Sequence, residues 1–312
     1  MTRSGFVAIA GRPNAGKSTL LNRMVGSKVA IVSNKPQTTR HQIRGIVHRS
    51  GADGGPADQI VFVDTPGIHK PATSLGHRLN AVALDAVRDA DASLQVIDAS
   101  RPIGKGDQFV AGRLFDAGRP VVCVLTKADL VLPNVLLAQM EAARRTGAEP
   151  VDRARGGPGG SYAEILTASS VRGTGIEDVV QTLLGLMPEG PAYYPETAAS
   201  DQSQELVIAE RIREKALELT REEVPHSVAV VVEEVARRGD SDLHDVTASI
   251  YVERDSQKGI LIGRGGEMLK KIGTRARREI EPIVGGRVFL DLRVKVEPRW
   301  QQDERALDRF GY

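Results

Sequence analysis

The octapeptide "GRPNAGKS" at residues 11–18 follows the apolar run "FVAIA" (6–10) and precedes the helical pattern "STLLNRMV" (18–25). Its spacing satisfies G-x-x-x-x-G-K-[S/T], the pattern of a phosphate-binding loop between a strand and a helix. The glycines allow successive backbone N–H groups to surround phosphates at a helix N-terminus. Lys17 is expected to reach the β- and γ-phosphates, and the Ser18 hydroxyl to bind Mg²⁺. The octapeptide therefore predicts a nucleotide-binding domain, without distinguishing ATP from GTP.

Around this loop, short β-branched runs alternate with helical patterns from residue 6 to about residue 187. The runs are "FVAIA", "QIVFVDT", "SLQVIDA", "PVVCVLT" and "EILTAS". Such alternation predicts an α/β fold with a mostly parallel sheet and helices on both faces. A Pro-containing polar stretch, "MPEGPAYYPETAASDQSQ", then interrupts every period. We therefore place a linker at 188–204, after a first domain over 1–187 and before a second over 205–312.

The second region has a different pattern. "ELVIAERIREKALELT" predicts an amphipathic helix, "HSVAVVVEEV" and "DVTASIYVER" predict strands, and "RVFLDLRVKVE" alternates strictly between apolar and charged residues. The order of helix, two strands, helices and strand indicates a small α+β domain. This order is distinct from that of the first region.

Composition limits the class of protein. The 312 residues are 41% hydrophobic and 26% charged, values of an ordinary globular protein. No apolar run approaches the roughly 18 residues of a membrane span. The N-terminus resembles a first buried strand more than a signal peptide. The single cysteine, Cys123, excludes an internal disulfide and a cysteine-built metal site, and it is interpreted as a core thiol in a reducing cytosol.

The stretch "TKAD" at 126–129, after the apolar run "VVCVL", is the candidate element for recognising the nucleotide base. It resembles the N-K-x-D element of GTPases, in which the final Asp accepts hydrogen bonds from the N1–H and 2-amino groups of guanine. Adenine offers neither donor, so a carboxylate left unpaired by it would discriminate strongly. Thr126 stands where Asn is usual, and we expect guanine binding to survive in weakened form. The candidate base ligands here are Thr126, Lys127, Ala128 and Asp129.

Two further loops complete the predicted nucleotide site. "ASSVRGTG" (168–175) looks like the S-A-x-x-G loop that backs the base through Ser169 and Ser170, with a plain strand-to-helix turn as the alternative. "DTPG" supplies Asp64 as the carboxylate behind Mg²⁺. The expected nucleotide contacts are Gly11, Arg12, Pro13, Asn14, Ala15, Gly16, Lys17, Ser18, Asp64, Thr65, Pro66, Gly67 and Ile68, together with the base ligands.

A polar stretch, "NKPQTTRHQIRG", lies where a switch loop should be. We expect the Thr39 hydroxyl to join Ser18 and Asp64 on Mg²⁺ when triphosphate is bound, with Thr38 as the alternative. The N–H of Gly67 is expected at the γ-phosphate.

Residues 258–299 hold eleven Lys or Arg against five acidic residues, a net charge of +6 in a chain of +2. Within this segment, "GILIGRGGEMLKKIGTRARREIE" contains G-x-x-G followed by a helix with exposed cations. In KH domains such a loop approaches the RNA backbone closely, because side chains would block contact. The candidate RNA-binding residues are Ile262, Gly263, Arg264, Gly265, Gly266, Lys270 and Lys271.

Together, "GRPNAGKSTLLN", "KPQTTRHQI", "DTPG", "VPHSVAV" and the tail "DERALDRFGY" resemble the Era family of bacterial GTPases, over residues 5–312. The resemblance implies a GTPase domain followed by a type 2 KH domain, and hydrolysis of GTP to GDP and phosphate. It implies a ribosome-assembly factor that binds the 3′ end of 16S rRNA and the 30S subunit, with the GTP state gating RNA binding. We expect a cytoplasmic monomer, with peripheral association at the cytoplasmic face of the membrane.

Ile68 follows "DTPG", where many GTPases carry a Gln that orients the attacking water, and its side chain has no hydrogen-bonding atom. Relatives with an apolar residue here can use K⁺ in place of an arginine finger, with an Asn of the phosphate-binding loop as ligand. This implies Asn14, with backbone carbonyls of 33–38 as co-ligands, and predicts a catalytic set of Lys17, Thr39, Gly67 and Asn14. The alternative is that Asn14 is a turn residue.

Two other functions remain open from the sequence. A P-loop signalling switch could carry a C-terminal domain that binds protein or membrane, its basic helix being a solvated face. An ATP-dependent nucleotide kinase is the second alternative, which Asp129 and the KH-like segment disfavour.

Overall fold

The computed structural model describes residues 2–35, 38–49, 57–67, 73–148, 160–221 and 224–312. The chain forms two compact units. The first comprises Met1–Ala30, Thr39–Pro71 and His77–Asp201, and the second comprises Ile31–Thr38, Ala72–Gly76 and Gln202–Tyr312. Most of the stretch predicted as a linker is grouped with the first unit, where the Ile46 amide donates to the Ala199 carbonyl over 2.9 Å. No helix of the described residues is long and apolar enough to cross a membrane.

The first unit contains a six-stranded sheet in the order β2-β3-β1-β4-β5-β6, parallel except for the β2–β3 pair. This confirms the mostly parallel sheet. The strands are β1 (Ser4–Gly11), β2 (Ile43–Arg49), β3 (Asp58–Asp64), β4 (Ala92–Asp98), β5 (Val121–Thr126) and β6 (Glu164–Thr167). The helices are α1 (Lys17–Val25), α2 (Ser74–Asp89), α3 (Lys105–Phe115), α4 (Pro133–Ala148) and α5 (Ile176–Leu186).

Helices cover both faces of this sheet. On β1, Val7 and Ile9 pack in one core with residues of α1 and α5, whereas Ala8 and Ala10 pack in another with residues of α2 and α3. The alternation follows from the two-residue period of a strand. Because five neighbouring strands run parallel, their carboxyl ends meet at one edge, where the loops after β1, β3, β4, β5 and β6 converge.

One strand was absent from the expected set. β2 falls on "IRGIVHR", directly after the predicted switch stretch, and pairs antiparallel with β3. Its apolar run is broken by Gly45, which the sequence pattern treats as a turn signal. In the structure a Cβ at this position would lie 2.6 Å from Cδ1 of Leu21. Gly45 therefore permits close packing of β2 against α1.

The second unit has a three-stranded sheet in the order β7-β8-β9. β7 and β8 are antiparallel, and β8 and β9 are parallel. The strands are β7 (Ala229–Arg237), β8 (Leu243–Val252) and β9 (Arg287–Val296). The helices are α6 (Gln204–Leu219), α7 (Val224–Ser227), α8 (Asp255–Ile262), α9 (Glu267–Val284) and α10 (Glu304–Arg309). The predicted strand "HSVAVVVEEV" begins only at Ala229, because α7 extends to Ser227.

Helix α6 differs from the expected amphipathic helix because its charged side is buried too. Arg213 pairs with Glu210 over 2.7 Å, and Lys215 lies 2.6 Å from Glu279 of α9. Each of these charged side chains of α6 is at most 8% exposed: Glu210, Arg213, Glu214 and Lys215. Buried charges need partners of this kind. Apolar periodicity alone cannot predict them.

Candidate functional site

The phosphate-binding loop connects β1 to α1. Gly11 ends the strand and Lys17 begins the helix, so residues 12–16 form the turn. A Cβ on Gly11 would lie 2.4 Å from the Val96 carbonyl oxygen, so only glycine fits there. Asn14 and Gly16 have φ values of 64° and 100°, in a region that few L residues adopt. The loop therefore has a defined conformation fixed by its packing on β4.

Lys17 lies inside this loop. Its ammonium group donates to the carbonyl oxygens of Gly11, over 3.3 Å, and of Arg12, over 3.2 Å. Burial lowers the pKa of Lys17, while the nearby Asp64 carboxylate acts in the opposite direction. A buried cation held by carbonyls is suited to accept a phosphate as a stronger partner.

Three oxygen-bearing side chains meet next to Lys17. Oδ2 of Asp64 accepts from the Ser18 hydroxyl over 2.7 Å and from the Thr39 hydroxyl over 3.3 Å, and the two hydroxyl oxygens are 3.0 Å apart. Asp64 is fully buried, and its Oδ1 has no hydrogen-bond partner among the described residues. Burial raises the pKa of Asp64, and Lys17 and the two hydroxyls oppose this. An orphaned buried carboxylate oxygen beside two hydroxyls fits a small divalent cation.

This arrangement differs from an all-protein metal cage. The described residues contain no group of three or more His, Cys, Asp or Glu side chains placed to hold a metal. Mg²⁺ commonly uses only one or two carboxylates and completes its octahedron with water and substrate phosphates. The Ser18, Thr39 and Asp64 set is therefore chemically appropriate for Mg²⁺.

The remaining residues of "DTPG" abut the phosphate-binding loop. The Thr65 hydroxyl donates to the Ile9 carbonyl over 2.8 Å, and Pro66 is buried. A Cβ on Gly67 would lie 3.2 Å from Pro13. Ile68 lies outside the described residues.

Of the two candidate threonines, only one points to the cation cluster. The Thr38 hydroxyl donates instead to the Lys35 carbonyl over 2.7 Å. The geometry therefore favours Thr39 as the hydroxyl of this cluster. Residues 36–37, within the stretch expected to supply carbonyl ligands for K⁺, lie outside the described residues.

The "TKAD" element is tied directly to the phosphate-binding loop. The Thr126 hydroxyl lies 2.6 Å from the Ala15 carbonyl and 3.1 Å from the Ile97 carbonyl, and the residue is almost fully buried. Lys127 has a φ of 57°, and its ammonium group donates to the Asn14 carbonyl over 3.1 Å. The Thr126 hydroxyl thus contacts two backbone carbonyls. These bonds connect strand, loop and base motif.

Asp129 meets the predicted base-backing loop. The Ser169 hydroxyl donates to Oδ1 of Asp129 over 2.6 Å, and the Ala128 amide donates to the Ala168 carbonyl over 3.3 Å. Ser169 is buried, and Ser170 is half-buried. Gly175 closes the loop, because a Cβ there would lie 2.0 Å from the Thr167 carbonyl. The structure therefore brings together both predicted base-binding elements.

Two acidic residues beside the loop were missed by motif reasoning. Asp98, the last residue of β4, accepts from Lys127 over 2.5 Å, and Asp107 of α3 accepts from Arg12 over 3.1 Å. The Arg12 side chain, predicted as a nucleotide contact, is thus paired with a carboxylate. The sequence could have indicated Asp98 as a site residue, because it ends a buried strand at the carboxyl edge of the sheet. Asp107 lies within a helix and carries none.

The G-x-x-G element forms the turn between α8 and α9. Gly263, Gly265 and Gly266 have φ values of 71°, 56° and 81°, which glycine adopts without strain. A Cβ on Gly263 would lie 2.9 Å from Met268, but around Gly265 and Gly266 nothing lies within 4 Å of such an atom. Two of the three glycines are therefore not required by packing.

The side chains around this turn divide between core and solvent. Ile262 packs partly on the apolar core, whereas Arg264, Lys270 and Lys271 are exposed. Lys271 pairs with Glu267 over 2.6 Å on the surface, a contact of small energetic value. Exposed cations thus lie within the turn and in the first turns of α9 that follow it.

Two family models match the chain, one in each region. A model described as a 50S ribosome-binding GTPase matches residues 6–127, and a KH domain model matches residues 223–301. They cover the phosphate-binding loop, "DTPG" and the G-x-x-G turn.

Relatives match over nearly the full length. GTPase Era of Mycobacterium avium is 48% identical over 314 residues, covering 99% of both chains, and GTPase Era of Leuconostoc citreum is 45% identical over 311 residues, covering 99% of this chain and 96% of its own. The structure of a variant of Aquifex aeolicus Era bound to GDP and aluminium fluoride has a TM-score of 0.90 at 35% identity, covering 100% of this chain and 99% of that one.

A second solved structure contains Era in complex with MgGDPNP and nucleotides 1506–1542 of 16S ribosomal RNA. It has a TM-score of 0.90 at 36% identity and covers 100% of this chain and 99% of that one. With full-length identities of this size, matching GTPase and KH models and the loop geometry described above, the chain belongs to the Era family of GTPases, which pair a GTP-hydrolysing P-loop domain with a KH domain.

Proposed function

We propose that this GTPase is a ribosome-assembly factor that binds the 3′ end of 16S rRNA and the 30S subunit through residues 205–312, with the bound nucleotide gating RNA affinity. The observation that carries the proposal is the open space around Gly265 and Gly266 of the G-x-x-G turn, followed by a helix with exposed cations, in a relative of a protein solved with that RNA. RNA-binding KH loops need this absence of side chains. The KH match disfavours a protein-binding or membrane-binding module at this position.

The nucleotide lies, in this proposal, across the carboxyl edge of the first sheet. Lys17 exchanges its carbonyl partners for the β- and γ-phosphates, and the Gly67 amide faces the γ-phosphate. Asp129, oriented by Ser169, accepts from guanine. Positioned positive charge and fixed hydrogen-bond donors then stabilise the transition state of GTP hydrolysis, as in phosphoryl transfer generally.

Ser18, Thr39 and Asp64 would hold Mg²⁺. When bound, the ion neutralises charge on the β- and γ-phosphate oxygens. The hydroxyls of Ser18 and Thr39 and the buried Asp64 carboxylate provide its protein side, directly or through water. The orphaned Oδ1 of Asp64 supports this assignment.

Asn14 is the proposed K⁺ ligand that compensates for an apolar Ile68. Its side chain is exposed at the rim of the loop, its backbone has a positive φ, and its carbonyl accepts from Lys127. A positive φ at a non-glycine loop residue is common at functional sites. This supports a role for Asn14 beyond the turn, with its side-chain amide oxygen as the proposed ligand atom.

For location and assembly state, we propose a monomer that works in the cytoplasm. Its one cysteine is a buried thiol whose pKa is raised by burial, which suits a reducing compartment. Peripheral membrane association is retained as an expectation of the family resemblance.

The test is binding of a labelled RNA with the 3′ end sequence of 16S rRNA to the purified full-length chain. Protein should first be purified with nuclease and high salt, and the ratio of absorbance at 260 to 280 nm compared with untreated protein. We expect nucleic acid to be lost on treatment, because phosphate-driven binding weakens steeply with salt. A treated protein that fails to bind the RNA, while still hydrolysing GTP, would contradict the RNA-binding proposal.

A further inference from the structure

Asp98 has no assigned role in the proposed site, yet it is the acidic partner of Lys127. Its Oδ2 accepts from the Lys127 ammonium over 2.5 Å. Its Oδ1 accepts from the Ser100 amide over 3.0 Å and from the Ser100 hydroxyl over 2.6 Å. Only about a tenth of its side chain is exposed. Burial raises the pKa of Asp98, but the bonds from Lys127 and Ser100 outweigh burial and hold the pKa below its ordinary value.

Lys127 continues this chain of contacts to the phosphate-binding loop, where it donates to the Asn14 carbonyl over 3.1 Å. The neighbouring Thr126 hydroxyl donates to the next carbonyl, that of Ala15, over 2.6 Å. Two consecutive residues of the base motif thus bind two consecutive carbonyls of the loop. Of these two bonds, only the Lys127 bond depends on a flexible side chain that needs a further partner to fix it.

The backbone conformations indicate that this contact restrains the loop. Asn14, Lys127 and Arg299 are the non-glycine residues with positive φ among the residues that the structure describes. Two of the three are joined by the Lys127–Asn14 bond. Such conformations persist only where surrounding contacts impose them, and they occur often at functional sites. A carboxylate that fixes the lysine therefore helps to hold both residues.

We propose that Asp98 is a positioning residue for nucleotide binding, which orients Lys127 so that the guanine motif and the phosphate-binding loop hold the nucleotide as one unit. Asp98 touches neither base nor phosphate in this proposal. It acts through a charge-assisted hydrogen bond, which is shorter and stronger than a neutral one. The inference rests on the proposed guanine site at Asp129.

The first test is the rate of release of a fluorescent methylanthraniloyl-GDP from the full-length chain. Asp98→Asn keeps the shape of the side chain and removes its charge, and we expect release to accelerate roughly tenfold, the scale of one charged hydrogen bond. Asp85→Asn is the matched control, because Asp85 pairs with Arg88 on the exposed surface of α2, and it should leave the rate unchanged. An unaltered rate in Asp98→Asn would overturn the proposal.

A double-mutant cycle separates positioning from general loosening of the fold. If Asp98 acts through Lys127, Asp98→Asn combined with Lys127→Met should release GDP no faster than the faster single variant. Multiplication of the two single effects would overturn the proposal, since a merely structural change is expected to add independently. The thermal unfolding midpoint, measured without nucleotide, should stay close to that of the unmutated chain for Asp98→Asn.

A milder variant keeps the proposal testable if Asp98→Asn does not fold. Ser100→Ala removes one bond to the far oxygen of the same carboxylate and leaves the Lys127 contact in place. Release should accelerate only about two- to threefold, as for one neutral hydrogen bond. No acceleration in Ser100→Ala, together with a misfolded Asp98→Asn, would count against the proposal.

Failure of the inference is distinguishable from failure of the guanine site. If Asp129→Asn weakens GDP binding while Asp98→Asn does not, only the positioning role of Asp98 is lost. If Asp129→Asn leaves GDP binding unchanged, the guanine site is wrongly placed and the role of Asp98 falls with it.

Discussion

Two glycine-containing turns, each leading into a helix, differ in what requires their glycines. In the phosphate-binding loop, a Cβ on Gly11 would lie 2.4 Å from a carbonyl oxygen, and the carbonyls of Asn14 and Ala15 accept from Lys127 and Thr126. In the turn before α9, a Cβ on Gly265 or Gly266 would meet nothing within 4 Å. Packing and hydrogen bonds within the protein fix the first turn, whereas Gly265 and Gly266 of the second turn have open space beside them.

The difference indicates what each turn binds. A nucleotide is a small ligand of fixed shape, and a preorganised site binds it with little loss of conformational freedom. An RNA backbone is an extended partner that must reach the protein surface, so a stretch without side chains on an exposed turn serves it. Substitution of the packed Gly11 should therefore damage fold and nucleotide binding together, whereas substitution of the open Gly265 should affect binding of the partner alone.

The largest expected effect is at the base. Asp129→Asn replaces an acceptor by an amide that can donate to a 2-oxo group, so the chain should lose GTP affinity by roughly a thousandfold and gain xanthosine triphosphate. Competition binding with the two nucleotides measures both changes. Unchanged GTP affinity would remove Asp129 from the site.

The second effect tests the open turn. Gly265→Asp places a carboxylate where a phosphate backbone would approach, and RNA affinity should fall roughly a hundredfold because like charges across an interface cost several kcal/mol. Basal GTP hydrolysis should not change. Gly285→Asp is the matched control, since Gly285 also has positive φ and open space at the other end of α9. Equal loss of RNA binding in both variants would mean that backbone strain, and not the turn, is responsible.

The same contrast shows what sequence could predict. The phosphate-binding loop, "DTPG", "TKAD" and G-x-x-G were placed correctly in the fold because each combines a fixed spacing with a required backbone geometry. The strand β2 was missed because Gly45 breaks its apolar run, although it is needed for packing on Leu21. The buried charges of α6 and the Asp98–Lys127 pair could not be predicted, because ion pairs between distant segments leave no local period.

A third, smaller effect concerns the rim of the phosphate-binding loop. GTP turnover should be roughly tenfold faster in K⁺ than in Na⁺ at equal ionic strength, a modest share of what an arginine finger supplies. Asn14→Ala should abolish the difference while GTP binding persists. Equal rates in the two salts for the unmutated chain would leave backbone-held water as the remaining means of orienting the nucleophile.

The smallest effect is expected at the exposed helix face beside the open turn. Lys270→Ala should weaken RNA binding by a similar factor for different sequences and lower the slope of log affinity against log salt by about one. Lys28→Ala, a basic residue of the first unit, is the comparison and should leave this slope unchanged. A titration at several salt concentrations checks both variants, and an unaltered slope in Lys270→Ala would exclude Lys270 from phosphate contact.

The most direct test of a nucleotide-gated RNA-binding GTPase is one comparison on the unmutated chain. Affinity for an RNA with the 3′ end sequence of 16S rRNA should be measured by fluorescence anisotropy, at one salt concentration, with saturating GDP and with saturating non-hydrolysable GTP analogue. We expect tighter binding in the GTP-analogue state, by roughly tenfold or more, within the range of ordinary allosteric coupling. Equal affinity in the two states would contradict it.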